Sequence, residues 1–248
     1  MKIIQKKNKY FFKPRKTTAM IRLDVNNKYK LQMPLSAYPN IIGFIGKPSC
    51  GKTSLMLNLL FEKILDKKRI SYRGLYSQVL IISPTMNGIN DVEFNKIPDE
   101  NKYDEFNLEV LEDVYERASD LWKNEKKQTL LILDDCGAYL KKIDKKLNEI
   151  CANHRHSGLS IWCLCQTFKS IPKPVRGWLT HAAIFQPPNL LELQSIFDEI
   201  LPIKRQLYKH IFDHVFEKKH DYMFVDTSKE YGGSSLFFKR MDQFLIEE

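Results

Sequence analysis

Residues 41–53 read IIGFIGKPSCGKT, and no other stretch limits the possible folds so sharply. An apolar run of Ile41, Ile42, Phe44 and Ile45 halts at Gly46. Lys47, Pro48, Ser49 and Cys50 follow, and Gly51-Lys52-Thr53 opens a helical pattern, SLMLNLLFEKIL. Glycines at both ends let the backbone turn with its N–H groups inward, where a Cβ would hinder. A helix starting near Lys52 adds unpaired amides and the positive end of its dipole. These amides converge on an anion, and G-x-x-x-x-G-K-T between a strand and a helix is a phosphate-cradling P-loop. Gly46, Lys47, Pro48, Ser49, Cys50, Gly51, Lys52, Thr53 and Ser54 are therefore the expected binding residues for a nucleoside triphosphate. Lys52 is expected to neutralise the β- and γ-phosphates, and the Thr53 hydroxyl to ligate Mg²⁺.

Strands and helices alternate after residue 40, which predicts an α/β fold with a mainly parallel sheet covered by helices on both faces. Residues 79–83 (VLIIS) read as a short buried strand stopped by Pro84. Residues 129–135 (TLLILDD) read as a buried strand running into two aspartates, and Leu159–Cys165 (LSIWCLC) as a strand ending at Gln166 and Thr167. HAAIFQPP is a fifth strand, after the basic loop KSIPKPVRGW. LEVLEDVYERASDLWKNEKK, GAYLKKIDKKLNEICANHRHSG, LLELQSIFDEIL and KRQLYKHIFDHVFEK carry helical patterns. DYMFVDTSKEYGGSSLFFKR reads as a C-terminal hairpin turning at Gly232-Gly233, and TTAMIRLDVNNKYKLQMP as a small one turning at Asn26-Asn27. The expected division is a basic arm with that hairpin over 1–40 and a P-loop domain over 41–248. Right-handed crossovers put the carboxyl ends of the parallel strands on one edge, where a ligand binds.

Lys52 and Asp134 lie 82 residues apart with an apolar strand between them in sequence. That predicts an additional strand between the P-loop strand and the acid-bearing strand, the arrangement of ATP-driven motors; small-molecule kinases and switch GTPases usually make the two neighbours. Asp134 is then the metal ligand and Asp135 the base polarising the attacking water, a base for which a kinase has no use. Gln166 can donate to the γ-phosphate and accept from that water, reporting hydrolysis to the loop behind it. Arg155 ends the helix leading to the Gln166 strand, and in a ring it would face the neighbouring subunit. A guanidinium inserted there is typically worth about 10³–10⁵ in rate. Each residue also has a plainer reading: strand ends reach solvent, and an arginine complements a helix C-terminus.

Charge and composition narrow the partners. The net charge is +9, of which residues 1–16 hold seven Lys or Arg and no acid. A basic arm suits nucleic acid or another polyanion, and equally a solvated tail. Residues 91–125 carry twelve acids against four bases, a solvated face that repels DNA. Lys141, Lys142, Lys145 and Lys146, and then Lys169, Lys173 and Arg176, are candidate contacts to duplex phosphates. Cys163 and Cys165 alternate within an apolar run and read as packing, and His210 and His214 lack a third metal ligand. No stretch has the 18 or so uninterrupted apolar residues of a membrane span, and MKIIQKKNKYFF lacks the apolar core of a signal peptide.

GKPSCGKT, VLIISPT, LLILDD, NHRHSGLSIWCLCQT and the closing YMFVD…LFFKR pair resemble the genome-packaging ATPases of large DNA viruses and virophages, within the FtsK–HerA superfamily. The similarity spans residues 41–240. It implies a RecA-like core, assembled as a homo-oligomeric ring, that hydrolyses ATP with Mg²⁺ to drive double-stranded DNA, without regard to sequence, into a preformed capsid. It implies viral capsid proteins as partners, and the viral factory of the host cytoplasm and the virion as locations. It makes Lys52 and Thr53 ligands of ATP and Mg²⁺, Asp134 the metal aspartate, Asp135 the base, Gln166 the sensor and Arg155 the trans finger. Many superfamily members carry glutamate where Asp135 stands, so the base here is one methylene shorter. Competing readings are a non-packaging helicase or partitioning ATPase of the same fold, a P-loop nucleotide kinase, and a structural DNA binder.

Overall fold

The computed structural model describes residues 2–6, 31, 34–36, 39–61, 71–86, 94–200, 204–227 and 236–247. In chain order the elements are β1 (Lys2–Lys6), β2 (Ile41–Ile45), α1 (Lys52–Phe61), β3 (Gln78–Ile82), β4 (Lys102–Tyr103), α2 (Leu108–Glu125) and β5 (Thr129–Asp134). They continue with α3 (Gly137–Leu140), α4 (Asp144–Asn153), β6 (Leu159–Cys165), α5 (Lys173–Arg176), β7 (His181–Phe185) and α6 (Leu190–Ile200). The last are α7 (Tyr208–Val215), β8 (Tyr222–Asp226), β9 (Leu236–Lys239) and β10 (Asp242–Glu247).

Strand β2 is apolar but for Gly43 and buried throughout, which requires cover on both faces. Side chains alternate along a strand, so Ile42 and Phe44 enter one core and Ile41 and Ile45 the other. The first core is covered by α1 through Met56, Leu57, Leu59 and Leu60. The second is covered by α2, α4, α6 and α7 through Leu111, Val114, Leu147, Ile150, Ile196, Phe197 and Ile211. These helices bracket a sheet ordered β1-β10-β9-β8-β7-β2-β6-β5-β3-β4. From β7 to β4 every pairing is parallel, and from β7 to β1 every pairing is antiparallel.

The expected additional strand lies between β2 and β5. It is β6, the strand tipped by Gln166, whereas β3 lies outside β5. Register levels the tips: Ile45 pairs with Cys165 and Ile184, Asp134 with Leu164, and Ile82 with Leu133. Gly46, Gln166, Asp135 and Ser83 consequently leave the sheet along one edge.

Several expectations are revised. The single helix read over residues 137–158 is two, α3 and α4, interrupted where Lys142 N–H donates to the Tyr139 carbonyl. Asp144 then sits in the first turn of α4, where an acid complements the dipole. The closing strands β8 and β9 pair as expected, with their Gly232-Gly233 turn outside the described residues. A further strand, β10, joins them, and β1, inside the segment read as an arm, pairs with β10 from Lys2↔Glu247 to Lys6↔Gln243. The turn of the small N-terminal hairpin lies outside the described residues, while Leu31 and Leu35 are buried in the α1-side core.

Candidate functional site

Past β2 the chain hugs the sheet before turning. Gly46 N–H donates to the Cys165 carbonyl at 3.1 Å, extending the β2–β6 pairing by one residue. A Cβ at Gly46 would stand 2.7 Å from Phe185 Cβ and 2.8 Å from Cys50 Sγ, so only glycine fits. Ser49 and Gly51 then adopt positive φ (60° and 107°), turning the chain into α1, and Leu55 N–H closes the first helical turn on the Gly51 carbonyl. Lys47, Pro48, Ser49 and Ser54 are exposed, and Lys52 and Thr53 are partly so. The Lys52 ammonium donates to the carbonyls of Gly46 at 2.7 Å and Lys47 at 3.0 Å, within the loop. Cys50 is buried beneath it. Burial pushes its thiol pKa up, opposed by the charge of Lys52.

The acids stand two strands away, about 10 Å by strand spacing. Asp134, half-buried, accepts from the Ser83 hydroxyl at 3.3 Å. Burial raises its carboxyl above the usual 3.8, and repulsion from Asp135 adds to this; Ser83 and Lys52 oppose it. Asp135 is exposed and left-handed (φ 52°), a conformation Asp tolerates better than most residues. Its carboxylate accepts from the Gln166 amide at 3.1 Å. Behind it the Cys136 thiol donates to the carbonyls of Ile82 (3.4 Å) and Asp134 (3.3 Å), tying the tip of β5 to β3.

Lys52, Asp134, Asp135 and Gln166 thus meet on one edge. Arg155 does not join them. It is exposed in the turn between α4 and the amino end of β6, while Gln166 follows the carboxyl end of the same strand. Seven residues at about 3.3 Å each put more than 20 Å between the two. Arg155 is therefore out of reach of a triphosphate held by the P-loop of its own subunit. Its turn is closely packed: Gly158 has φ 61°, and a Cβ there would meet Trp122 Cε3 at 2.4 Å.

The basic candidates divide. Lys169 and Lys173 are exposed in the segment after Gln166. Arg176 is a strut, paired with Glu199 at 2.7 Å, donating to the Ile171 carbonyl and stacked 4.8 Å from the Phe168 ring centroid. Lys146 bridges Glu112 and Glu149 at 3.6 Å each, and Lys142 lies over the Tyr139 ring. Lys141 and Lys145 are exposed.

Three participants escape motif reading. Ser83 supports Asp134, and its only sequence signal is a hydroxyl at the end of an apolar strand. Glu192 is buried and accepts from Phe168 N–H, holding the segment after Gln166. His220, far along the chain, bonds to the P-loop itself, its Nδ1 3.0 Å from the Cys50 carbonyl.

The donor set fits Mg²⁺: a partly exposed hydroxyl at Thr53 and a half-buried carboxylate at Asp134, hard oxygens of the kind that ion takes. Among the described residues no cluster of three His, Cys, Asp or Glu forms a metal cage. The five cysteines are free and buried.

Residues 28–228 match the model of the family described as Poxvirus A32 protein. The chain belongs to that family. No curated protein matches it in sequence. The family chain is similar in fold to the genome packaging NTPase B204 from Sulfolobus turreted icosahedral virus 2 in complex with ATP-gammaS. The TM-score is 0.57 and the identity 15%, covering 84% of this chain and 100% of that one. B204 from Sulfolobus turreted icosahedral virus, described as a DNA-packaging ATPase, gives a TM-score of 0.56 at 16% identity, covering 82% and 98%. Family membership and fold agree with the resemblance drawn from the motifs. No helix among the described residues is long and apolar enough to cross a membrane.

Proposed function

We propose that this chain is an ATP-hydrolysing motor that moves double-stranded viral DNA into a preformed capsid. One observation carries the reading. Asp135 and Gln166, on the tips of adjacent strands, are hydrogen-bonded at 3.1 Å on the edge that holds the P-loop, with Asp134 beside them. A nucleotide kinase whose acceptor is an already ionised phosphate needs no base there. A hydrolase needs a carboxylate to take a proton from water and a group that distinguishes the triphosphate from its product.

Thr53 and Asp134 would hold Mg²⁺, which when bound offsets phosphate charge and lowers the raised pKa of Asp134. Lys52 exchanges its two carbonyl acceptors for phosphate oxygens. Asp135 orients water and accepts its proton. Gln166 gives up its bond to Asp135 when it turns to the terminal phosphate, so base and sensor are released together. Arg155 serves the neighbouring subunit of a homo-oligomeric ring from the opposite edge of the sheet. Lys169 and Lys173, a few residues beyond Gln166, grip duplex phosphates without reading bases. B204 is itself described as a packaging NTPase, and a shared fold with family membership supports the same work here, with capsid protein as the docking partner and the viral factory as its place.

The test is ATP turnover by purified protein with and without duplex DNA, over a salt series. Stimulation by DNA that falls with salt, abolished in Lys52→Ala, is expected. Turnover indifferent to DNA at every salt concentration, or preserved in Lys52→Ala, would overturn the reading.

A further inference from the structure

The turn between α7 and β8 lies on the same sheet edge as the P-loop, because Tyr222 at the start of β8 pairs with Phe185 at the end of β7. It is a built element. Asp221 is buried, accepts from Lys218 N–H at 2.8 Å, and pairs with Arg240 at 2.7 Å. Glu217 pairs with Lys239 at 2.6 Å. These two ion pairs clamp the turn to the end of β9. Between them Lys218, Lys219 and His220 are exposed, and His220 has a positive φ of 67°. A β-carbon-bearing residue in that conformation persists where the surroundings enforce it, and such positions cluster at ligand clamps. His220 Nδ1 donates to the Cys50 carbonyl at 3.0 Å, and the ring lies beside Gly51, whose ideal Cβ position is 3.5 Å from His220 Nδ1.

Sheet order gives this turn its role. The acids and Gln166 flank the P-loop on the β6–β5 side, and His220 flanks it on the β7–β8 side. A triphosphate in the cradle with its terminal phosphate toward Asp134 and Gln166 directs its nucleoside the other way. We propose that the 217–221 turn forms the nucleoside side of the site, with the His220 ring in contact with the base or ribose and the exposed ammoniums of Lys218 and Lys219 bordering it. The inference rests on the nucleotide reading above and adds the surface that distinguishes a nucleotide from a bare polyphosphate. It also explains why the C-terminal strands join the sheet beside β7: they supply the clamp.

The experiment compares binding of ATP and of inorganic tripolyphosphate, which lacks base and ribose, by calorimetry with Mg²⁺ on the full chain. Three proteins are used: the parent, His220→Ala and His220→Asn. Asparagine tolerates left-handed backbone and can still donate to the Cys50 carbonyl, but has no ring. Both variants should bind ATP about tenfold more weakly, the scale of a lost ring–base contact, and tripolyphosphate as the parent does. Equal weakening of both ligands in His220→Ala with recovery in His220→Asn would show that His220 only braces the loop, and would overturn the proposal. Unchanged ATP binding in both variants would overturn it as well. A parent that binds tripolyphosphate but not ATP would sink the nucleotide reading itself, a result distinct from either of these.

Discussion

An alanine at Gly46 tests the cradle most directly. The added methyl carbon would sit 2.7 Å from Phe185 Cβ and 2.8 Å from Cys50 Sγ. Carbon atoms in contact rest about 3.5–4.0 Å apart, so the intrusion is about 1 Å on each side. Phe185 Cβ is fixed to β7, which is paired on one side to β2 and on the other to β8. Cys50 is in the loop and can give way, but only by carrying the loop with it. Overpacking of this kind costs about 1–3 kcal/mol, which for a chain of this length lowers the melting temperature by about 2–12 °C. The displacement matters more, since about 1 Å at a reacting centre costs about 100-fold in rate. Gly46→Ala should therefore fold, melt somewhat lower, and hydrolyse ATP about 100-fold more slowly. Cys50→Ala clears one of the two obstacles, so the double variant should recover part of the loss, a coupling expected of residues in contact. Steady-state hydrolysis and a thermal melt on the four proteins measure both quantities. Gly46→Ala turnover within about threefold of the parent, at unchanged stability, would refute the packing of the loop against β7.

Three further outcomes follow from the same geometry. Gly158→Ala combines a left-handed backbone, about 1 kcal/mol, with a methyl 2.4 Å from Trp122 Cε3, about 1–3 kcal/mol; urea denaturation should show the sum, and adding Trp122→Leu should return only the steric part. His154 is buried, its Nδ1 2.6 Å from the Cys151 carbonyl, and burial depresses its pKa from 6.5 to about 4; the neutral ring supports the fold above pH 6.5, and as pH falls toward 4 the unfolded chain takes up the proton first, removing up to about 3 kcal/mol. Denaturation midpoints of the parent and His154→Gln should therefore converge as the pH is lowered across that window, and parallel curves would dismiss the effect. Arg155→Ala and Asp135→Asn subunits, each inactive alone, should regain hydrolysis when mixed, because a ring then contains interfaces with both groups intact; mixtures that stay inactive would argue against a finger acting between subunits.

Much of this was legible because the chemistry sits at discontinuities in the sequence. Gly46 after an apolar run, Asp134-Asp135 after TLLIL and Gln166 after LSIWCLC each mark where a buried strand meets the binding edge, and register then sets them level. What stayed hidden depends on long-range pairing, which carries no local signal. Nothing around His220 shows that it returns to Cys50, 170 positions earlier. The GAYLKKIDKKLNEI segment has helical periodicity on both sides of its break, and only the acid at Asp144 hints at a second start. Arg176 reads as one more cation in a basic loop, and only tertiary structure supplies Glu199 and the face of Phe168. Strand β1 is hidden for a related reason: a five-residue run in a basic segment becomes a strand only when β10 provides its hydrogen bonds.

The reassignment of Arg176 from phosphate contact to strut bears on how hydrolysis would reach DNA. Between Gln166 and Arg176 the chain is anchored to α6 twice, at its start through Phe168 N–H on the Glu192 carboxylate and at its end through Arg176 on Glu199. Phe168 is fully buried and carries the guanidinium on its ring, so the two anchors share one side chain. A segment held at both ends in this way is braced against bending and would move with the helix. Lys169 and Lys173 project from within it and are exposed, so in the proposed cycle a shift of Gln166 on losing the terminal phosphate would displace both lysines together with α6. A flexible loop would absorb such a shift, whereas a braced one would deliver it to whatever phosphates the lysines held. The buried glutamate and the strut arginine are, on this reasoning, what makes a sensor at one strand tip useful to a motor.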